Sequence, residues 1–473
     1  MSKNIVIFSD GTGQAGGLTP DQHLSNIYKL YRASRTGPDS PINPADQVAF
    51  YDAGLGTTRD EGRIPFRPLQ FVRKFVSAAM GFGISRNIAD CYEAILKHYE
   101  PGDRIFLFGF SRGAYTVRCV AGVLNLCGVP TRSPDGSYFP RFGRDLRAIA
   151  DEAVGKVYEH GAGRDRAQFE PEREEQARRF RAKYGSDVDG KANVAPYFIG
   201  VFDTVASLGA SGFKRFVMNS GLLILAWIAC ALVAWPATLL GAEFLHAFLA
   251  VFGTGLVVAS IAAFRSSFKF IRDFPNVGQL RWHFAGWHSG FYDRYLDPRV
   301  RYARHALAID ETRKDFARVP WGVKGTSPQR EPGEPEWLEQ IWFAGCHSDI
   351  GGSYAEDESR LSDIALDWMV KQATSLPNPI IVADAQLRLF PSPDGMQHSE
   401  VEATRDVYPR WVSKRWRLTW EEQPRTEVLG APLDTSVFTR FGLSKVLHCG
   451  EARPYRPEPL RSDPRVAHYY DQK

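Results

Sequence analysis

Ser111 stands in the pattern Gly109-Phe110-Ser111-Arg112-Gly113, directly after the apolar segment RIFLF and before AYTVRCVAGVLNL. The first segment predicts a buried strand and the second predicts a helix. A serine in so tight a strand-to-helix turn, with glycines on both sides to prevent clashes, is presented at the carboxyl edge of a sheet. The pattern therefore predicts that the Ser111 hydroxyl is a catalytic nucleophile.

A serine hydroxyl is a weak nucleophile and needs a base, normally a histidine that is oriented by a carboxylate. In an α/β-hydrolase sheet the serine, the acid and the histidine follow in that order along the chain, on loops after strands. Asp203 follows PYFIGVF, and we predict it as the acid, with Asp349 as the alternative. His347 follows IWFAG and opens a glycine-rich loop, and we predict it as the base, with His398 as the alternative.

These assignments leave other possibilities open. Asp203 could simply open a turn or cap a helix. His283 and His288 lie in the aromatic stretch RWHFAGWHSGFYDRY, where we expect packed or surface side chains. His305, in RHALAIDE, is predicted to lie on a helix.

The oxyanion of an acyl-transfer reaction needs two backbone N–H groups, one of them from the residue after the nucleophile. Arg112 supplies that residue, and Gly11 and Thr12, after the first predicted strand, are candidates for the second. A turn without a catalytic role is the alternative. Asp10-Gly11-Thr12 also resembles an aspartyl phosphatase loop, but that chemistry needs an Asp where Phe8 stands. We predict neither a metal nor a cofactor.

The elements that must position these residues alternate along the chain. Apolar segments predict strands, and segments with helical spacing lie between them. The predicted strands cover 4–8, 47–51, 104–108, 196–202 and 341–345, and the predicted helices cover 84–99, 114–126 and 361–373. This alternation predicts an α/β fold of the α/β-hydrolase type, with a mostly parallel sheet and helices on both faces.

The amino-acid composition and net charge indicate which classes of binding partner and which cellular compartment to expect. The chain has 473 residues, is 44% hydrophobic and carries a net charge of +4 that is not gathered in one stripe, so we expect no nucleic-acid partner. Six widely spaced cysteines without a Cys-x-x-Cys pair argue against a zinc ribbon or a disulfide framework and favour a reducing compartment. The first residues, MSKNIVIFSDGTG, lack the features of a signal peptide.

Two long apolar runs interrupt the predicted sheet. Val217–Ala242 contains no charged residue, and Phe244–Phe264 is apolar again after Glu243. Each run exceeds the roughly 20 residues that cross a bilayer as a helix. Basic residues flank the pair on both sides, which predicts a two-helix transmembrane hairpin with both ends in the cytoplasm. A pair of buried core helices is the alternative.

These features predict three regions. The first part of the α/β-hydrolase domain covers 1–213 and includes a charged cap insertion at about 141–190. The transmembrane hairpin covers 214–272. The second part of the domain, with the catalytic histidine and an irregular C-terminal region, covers 273–473.

Several segments together resemble one family: FSDGTG, YDAGLGT, FLFGFSRGAYTVR, FDTVASLG, RHALAIDE, WFAGCHSDIGGSY and YRPEPL. They resemble the Tle-like catalytic domain of type VI secretion phospholipase effectors, an α/β-hydrolase domain of bacteria and fungi. The resemblance covers nearly the whole chain except the apolar hairpin. It implies an esterase that acts on phospholipid acyl chains, with the family's Ser, Asp and His at Ser111, Asp203 and His347.

The sequence thus predicts a membrane-anchored serine hydrolase that cleaves carboxyl esters of lipids, most simply in a phospholipase A-type reaction through an acyl-enzyme. Its expected partners are a phospholipid or other acyl-ester substrate and the bilayer. The catalytic domain is expected on the cytoplasmic side of a multi-pass anchor. A thioesterase or acyltransferase with the same triad, and a non-catalytic membrane-anchored interaction protein, are the alternatives.

Overall fold

The computed structural model describes most of the chain. The described residues are 2–14, 16–17, 23–54, 82–162, 166–205, 212–239, 241–285, 294–323, 326–406 and 420–471. His288, one of the histidines considered above, lies outside them.

Strands and helices alternate through the described residues. The strands are β1 (Asn4–Ser9), β2 (Gln47–Asp52), β3 (Arg104–Phe110), β4 (Asp187–Val188), β5 (Lys191–Ala192), β6 (Phe198–Phe202), β7 (Phe268–Arg272), β8 (Leu280–Phe284), β9 (Tyr295–Leu296), β10 (Tyr302–Ala308), β11 (Gly322–Val323), β12 (Leu338–Phe343), β13 (Val446–His448) and β14 (Glu451–Arg453). The α-helices are α1 (Asn26–Ser34), α2 (Phe82–His98), α3 (Arg112–Cys127), α4 (Arg144–Glu152), α5 (Glu170–Tyr184), α6 (Gly212–Thr238), α7 (Phe244–Ser267), α8 (His347–Gly351), α9 (Arg360–Thr374), α10 (Glu400–Asp406) and α11 (Thr435–Gly442).

Six strands form one sheet in the order β12-β10-β6-β3-β1-β2, and every pairing in it is parallel. Successive residues of a strand face opposite sides. Ile5 and Ile7 accordingly join a core cluster with residues of α2 and α3, whereas Val6 and Phe8 join a second cluster with residues of α1 and α9. The predicted α/β architecture, with a parallel sheet and helices on both faces, is confirmed.

The strand order reverses between β1 and β3. The chain adds β2 on one side of β1 and then crosses to β3 on the other side. In open α/β sheets a ligand binds outside the carboxyl ends of the strands at such a reversal. Ser9 pairs with Gly109 and Phe110 pairs with Phe202, so the residues that follow these strands meet at one edge.

One element differs from its prediction. His305 lies in β10 and not on a helix, so that prediction was wrong. All residues of Tyr302–Ala308 are buried, and the strand pairs with β6 on one side and β12 on the other. Because both ladders supply hydrogen bonds in the core, tertiary pairing outweighs the helical preference of an alanine-bearing segment.

The apolar segment forms α6 and α7, which pack side by side, with the ring of Trp227 6.1 Å from those of Phe248 and Phe252. Among the described residues, one helix is long and apolar enough to cross a membrane: Phe244–Arg265, with a mean hydropathy of 2.2. None of its apolar window is buried, unlike a core helix. The described apolar part of α6, Leu223–Thr238, is shorter, so the two-helix transmembrane hairpin remains a prediction.

Two further regions surround the sheet. In the charged insertion, α5 carries exposed ion pairs such as Arg178–Glu175 and buries Phe180 among the core side chains. The last hundred residues are short helices, a small hairpin and irregular segments, which bury Val437 and Phe441 against Leu307 of β10. The three region boundaries predicted above stay predictions.

Candidate active site

Ser111 follows β3 in a strained turn. Its φ of 58° and ψ of −122° place a non-glycine residue in a region that L side chains rarely adopt. A Cβ atom on Gly109 would lie 2.5 Å from the carbonyl oxygen of Gly113, and one on Gly113 would lie 2.1 Å from that of Ser9. The two flanking glycines are therefore required sterically, which agrees with the physical basis of the predicted nucleophile turn.

The structure brings His347 and Asp203 together. Nδ1 of His347, the first residue of α8, lies 2.6 Å from Oδ2 of Asp203, which directly follows β6. A carboxylate only accepts hydrogen bonds, so Nδ1 donates the proton, and in the neutral imidazole Nε2 is then the acceptor. Both side chains are buried, and Asp203 also accepts a bond of 3.1 Å from the Ala308 N–H.

Phe110 connects this pair to the nucleophile turn. Its ring lies 4.7 Å from the ring of His347, and it directly precedes Ser111. In the described part of the chain, the buried Nε2 of His347 has no hydrogen-bond partner. A histidine whose Nδ1 is held by a carboxylate and whose Nε2 is unpaired can act as a general base. Catalytic hydrogen bonds are often long without substrate and tighten when it binds.

Arg425 is a member of this site that the sequence analysis missed. Its Nη1 and Nη2 donate to the two carboxylate oxygens of Asp203 at 2.5 and 3.0 Å. The same nitrogens also donate to the carbonyl oxygens of Ala308 and Phe316 at 3.1 and 3.0 Å. No local pattern around EEQPRTEV indicates this role, because the contact is made 222 residues along the chain.

The charge of Asp203 depends on this guanidinium. Complete burial would by itself raise the pKa of Asp203. The charge of Arg425 and the hydrogen bonds from His347 and Arg425 outweigh burial and hold the pKa of Asp203 well below its ordinary value. Asp203 therefore stays ionised, as an acid that orients a catalytic imidazole must.

A second ion pair holds the backbone of the base. The N–H of His347 donates to Oε2 of Glu311 at 3.3 Å, and Glu311 accepts two bonds from the guanidinium of Arg313, at 2.9 and 2.7 Å. Arg313 lies over the ring of Phe316, at 3.5 Å, and that ring meets His347 edge to face. No local sequence pattern indicates these three residues, which together hold the backbone N–H of His347 and contact its ring.

The loop after β1 lies against the nucleophile turn. A Cβ atom on Gly11 would be 3.5 Å from Cβ of Ser111. The Gly11 N–H donates to Oδ1 of Asp10 at 2.7 Å, so it is already occupied, and among the predicted donors Gly11 fits least well. Within the described residues, the N–H groups of Thr12 and Arg112 have no hydrogen-bond partner and suit an oxyanion better.

Asp10, the first residue after β1, is held in place by hydrogen bonds of its own. It is buried and accepts hydrogen bonds from the hydroxyls of Ser25 and Tyr51 at 2.5 and 2.7 Å, besides the bond from Gly11. Burial raises the pKa of Asp10 to about 6, and these hydrogen bonds oppose the shift. These three hydrogen bonds give Asp10 a structural role in this loop.

The two alternative catalytic residues pair with each other. Nδ1 of His398 lies 2.7 Å from Oδ1 of Asp349, and the Cys346 N–H donates to Oδ2 of Asp349 at 3.0 Å. The ring of Tyr354 stacks on His398 at 3.6 Å. This second pair braces the loop that begins at His347. The structure thus joins His347 to Asp203 and not to Asp349.

The remaining histidines and metal-ligating groups lie in other surroundings. His305 is buried with Nε2 3.3 Å from the Thr204 N–H, and the ring of His283 stacks on Phe169. Glu402, His448 and Cys449 place ligand atoms within 4.8 Å of one another and together could hold a cation such as zinc.

Comparison with known proteins adds a family. Residues 3–235 and 240–372 match a family described as the T6SS phospholipase effector Tle1-like catalytic domain. The match runs through the apolar helices, where we expected an interruption, and does not reach YRPEPL.

Individual proteins match this chain over a smaller part of their length or at low sequence identity. An uncharacterized protein of Saccharomyces cerevisiae is 27% identical over 210 residues, which are 44% of this chain and 27% of that protein. A crystal structure of an uncharacterized protein from Pseudomonas aeruginosa is 16% identical, with 82% of this chain and 48% of that chain covered and a TM-score of 0.34. The Tle1 effector bound to the VgrG spike of the type 6 secretion system is 18% identical, with 76% and 53% covered and a TM-score of 0.27. The chain thus spans between about a quarter and about half of the length of these proteins.

Proposed function

Because the chain belongs to the family of type VI secretion Tle1-like phospholipase effector catalytic domains, we propose that it is a serine hydrolase of lipid carboxyl esters. The proposed reaction is of phospholipase A type and uses an α/β-hydrolase triad of Ser111, Asp203 and His347. The observation that carries the proposal is the 2.6 Å contact between His347 and Asp203, beside a strained serine turn.

The proposed mechanism has two halves. Nε2 of His347 takes the proton of Ser111 as Oγ attacks the ester carbonyl carbon, and Asp203 stabilises the imidazolium that forms. The N–H groups of Arg112 and Thr12 receive the oxyanion. His347 then protonates the leaving alcohol, which leaves an acyl group on Ser111. Water, deprotonated by His347, attacks this acyl-enzyme and releases the fatty acid.

We also propose that α6 and α7 form a membrane hairpin that keeps the catalytic domain on the cytoplasmic side. The 22 residues of Phe244–Arg265 make a helix about 33 Å long, close to the ~30 Å hydrocarbon core. Basic residues at both flanks support a cytoplasmic location for both ends. The hairpin follows soon after Asp203, at the edge of the sheet that carries Ser111, so the mouth of the site would face the lipid.

The catalytic proposal is tested by incubating the purified protein with a panel of phospholipids, lysophospholipids, short esters and acyl thioesters. Wild type and the control variant Ser137→Ala, which changes an exposed serine, should release fatty acid from phospholipid, and Ser111→Ala should not. Faster cleavage of thioesters would favour a thioesterase or acyltransferase instead. No turnover of any ester by folded wild type would favour the non-catalytic interaction protein.

The anchoring proposal has a separate test. Deletion of 217–264 should release the protein from membranes and preserve the cleavage of a water-soluble ester. Loss of both properties would instead favour helices that belong to the core.

A further inference from the structure

The chain leaves helix α7 directly into an antiparallel hairpin, β7–β8, which belongs to no other sheet in the described residues. Phe268 pairs with Phe284, Phe270 with Trp282, and Arg272 with Leu280. Since alternate residues of a strand share a face, these six side chains form one face of the hairpin, which we call the outer face.

The inner face is fixed to the charged cap. Ile271 is buried, Lys269 donates to the carbonyl oxygen of Gly155 at 2.8 Å, and Arg281 pairs with Glu172 at 2.7 Å. The edge of β7 is held as well.

Two side chains of α5 make that edge contact. Gln176 donates to the carbonyl oxygen of Phe270 at 3.3 Å, and Arg179 donates to that of Arg272 at 2.8 Å. The hairpin and the cap therefore form one continuous hydrogen-bonded unit.

The outer face, by contrast, is largely exposed and carries four aromatic side chains. Trp282 is 59% exposed, Phe270 is 47% exposed, and Phe284 and Leu280 are exposed to a similar degree. The aromatic rings of this face contact one another, with the ring of Phe268 5.7 Å from that of Phe284 and 5.8 Å from that of Trp282. Exposed apolar surface of this kind indicates a binding partner.

The outer face continues the surface of α7. Phe264, in the last turns of that helix, has its ring 5.1 Å from Phe268 and 5.6 Å from Phe284. Whatever medium surrounds the exposed apolar helix therefore also borders the first rings of the hairpin. For a membrane helix, the layer at the end of the hydrocarbon span is the headgroup region, where aromatic residues are enriched and arginines reach phosphates.

We propose that the outer face of β7–β8 lies in the headgroup layer of the bilayer, with Trp282 and Phe270 at the boundary of the acyl chains and Arg265 and Arg272 toward anionic headgroups. This inference rests on the membrane hairpin of the proposed function. Because the inner face is bonded to the cap, the contact fixes the tilt of the catalytic domain against the membrane. It therefore acts as a second, in-plane attachment beside the spanning helices.

The test is a depth measurement in nanodiscs of phosphatidylcholine and phosphatidylglycerol. A nitroxide is attached to Trp282→Cys, or in a second protein to Phe270→Cys, in a background with Cys230→Ala and Cys449→Ser. The matched control is Val188→Cys, an exposed apolar residue (54%) on the strand β4 of another hairpin. We expect loss of collisions with a water-soluble nickel relaxant and gain of collisions with oxygen at 282 and 270, relative to 188.

Labels at 282 and 270 that are as accessible to the nickel relaxant as the label at 188, in protein retained by the nanodisc, would overturn the inference. So would strong spin–spin coupling between two copies, which would assign the face to a dimer. If the whole chain is not retained by the nanodisc, the membrane hairpin itself fails, so the two failures are distinguishable.

Discussion

Replacement of Arg425 by Gln tests the central electrostatic contact of the site. The substitution removes both bonds to Asp203 and leaves a fully buried carboxylate with His347 and the Ala308 N–H as its remaining donors among the described residues. Breaking a buried ion pair from one side costs about 3–5 kcal/mol. We therefore expect Arg425→Gln to lose about 4 kcal/mol of unfolding free energy at neutral pH.

The loss of stability in Arg425→Gln should also depend on pH. In wild type the folded pKa of Asp203 lies below the unfolded value, so its contribution to stability is present above about pH 4 and is lost as the pH falls through the folded pKa. In Arg425→Gln, burial raises the pKa of Asp203 with less opposition. The penalty should then be largest at neutral pH and shrink as the pH falls toward the unfolded pKa of about 4, because protonation removes the uncompensated charge.

The assay is guanidinium unfolding of detergent-solubilised protein across this pH range. The matched control is Arg461→Gln, since Arg461 and Glu458 form an ion pair that is more than half exposed on both sides. An exposed pair contributes less than about 1 kcal/mol. Equal stability of Arg425→Gln and Arg461→Gln at neutral pH would refute the reasoning.

Three further outcomes follow from the same geometry. Asp203→Asn should lower kcat on a soluble ester about 10⁴-fold, measured on the fraction of the variant that is folded; a loss below tenfold would remove Asp203 from the triad. Gly113→Ala should prevent folded expression, because its Cβ would lie 2.1 Å from the Ser9 carbonyl oxygen, whereas Gly155→Ala, with open space around it, should express normally. Because the folded pKa of Asp10, about 6, exceeds the unfolded one, the contribution of Asp10 to wild-type stability should fall by about 3 kcal/mol between about pH 4 and pH 7. Asp10→Asn should abolish that slope in pH-dependent unfolding, and an unchanged slope would assign it to other groups.

Local pattern was sufficient for much of the fold. The apolar segments before Ser111, Asp203 and His347 are strands β3, β6 and β12, and their order along the chain already implied that their carboxyl ends meet. A nucleophile turn is recognisable because its steric requirements act over five residues. All of these steric requirements involve residues that are adjacent in the sequence, so the sequence alone reveals them.

Contacts between distant segments were not predictable in this way. His305 was placed on a helix because RHALAIDE has helix-forming residues, and only the ladders on both sides of β10 reveal it as a strand. Arg425 lies in a segment without periodicity, so its bond to Asp203 follows from the packing of the C-terminal region over the sheet. Likewise, the order of residues along the chain allowed Asp349 as an alternative acid and His398 as an alternative base. The structure pairs these two residues with each other.

The most direct test of the account is to locate the covalent intermediate. The protein is incubated with a fluorophosphonate analogue of a phospholipid, and the modified peptide is identified by mass spectrometry. We predict a single adduct on Ser111 in wild type, absent in Ser111→Ala and strongly slowed in His347→Gln. An unmodified Ser111 in folded wild type, or an adduct on another residue instead, would contradict the proposed serine hydrolase.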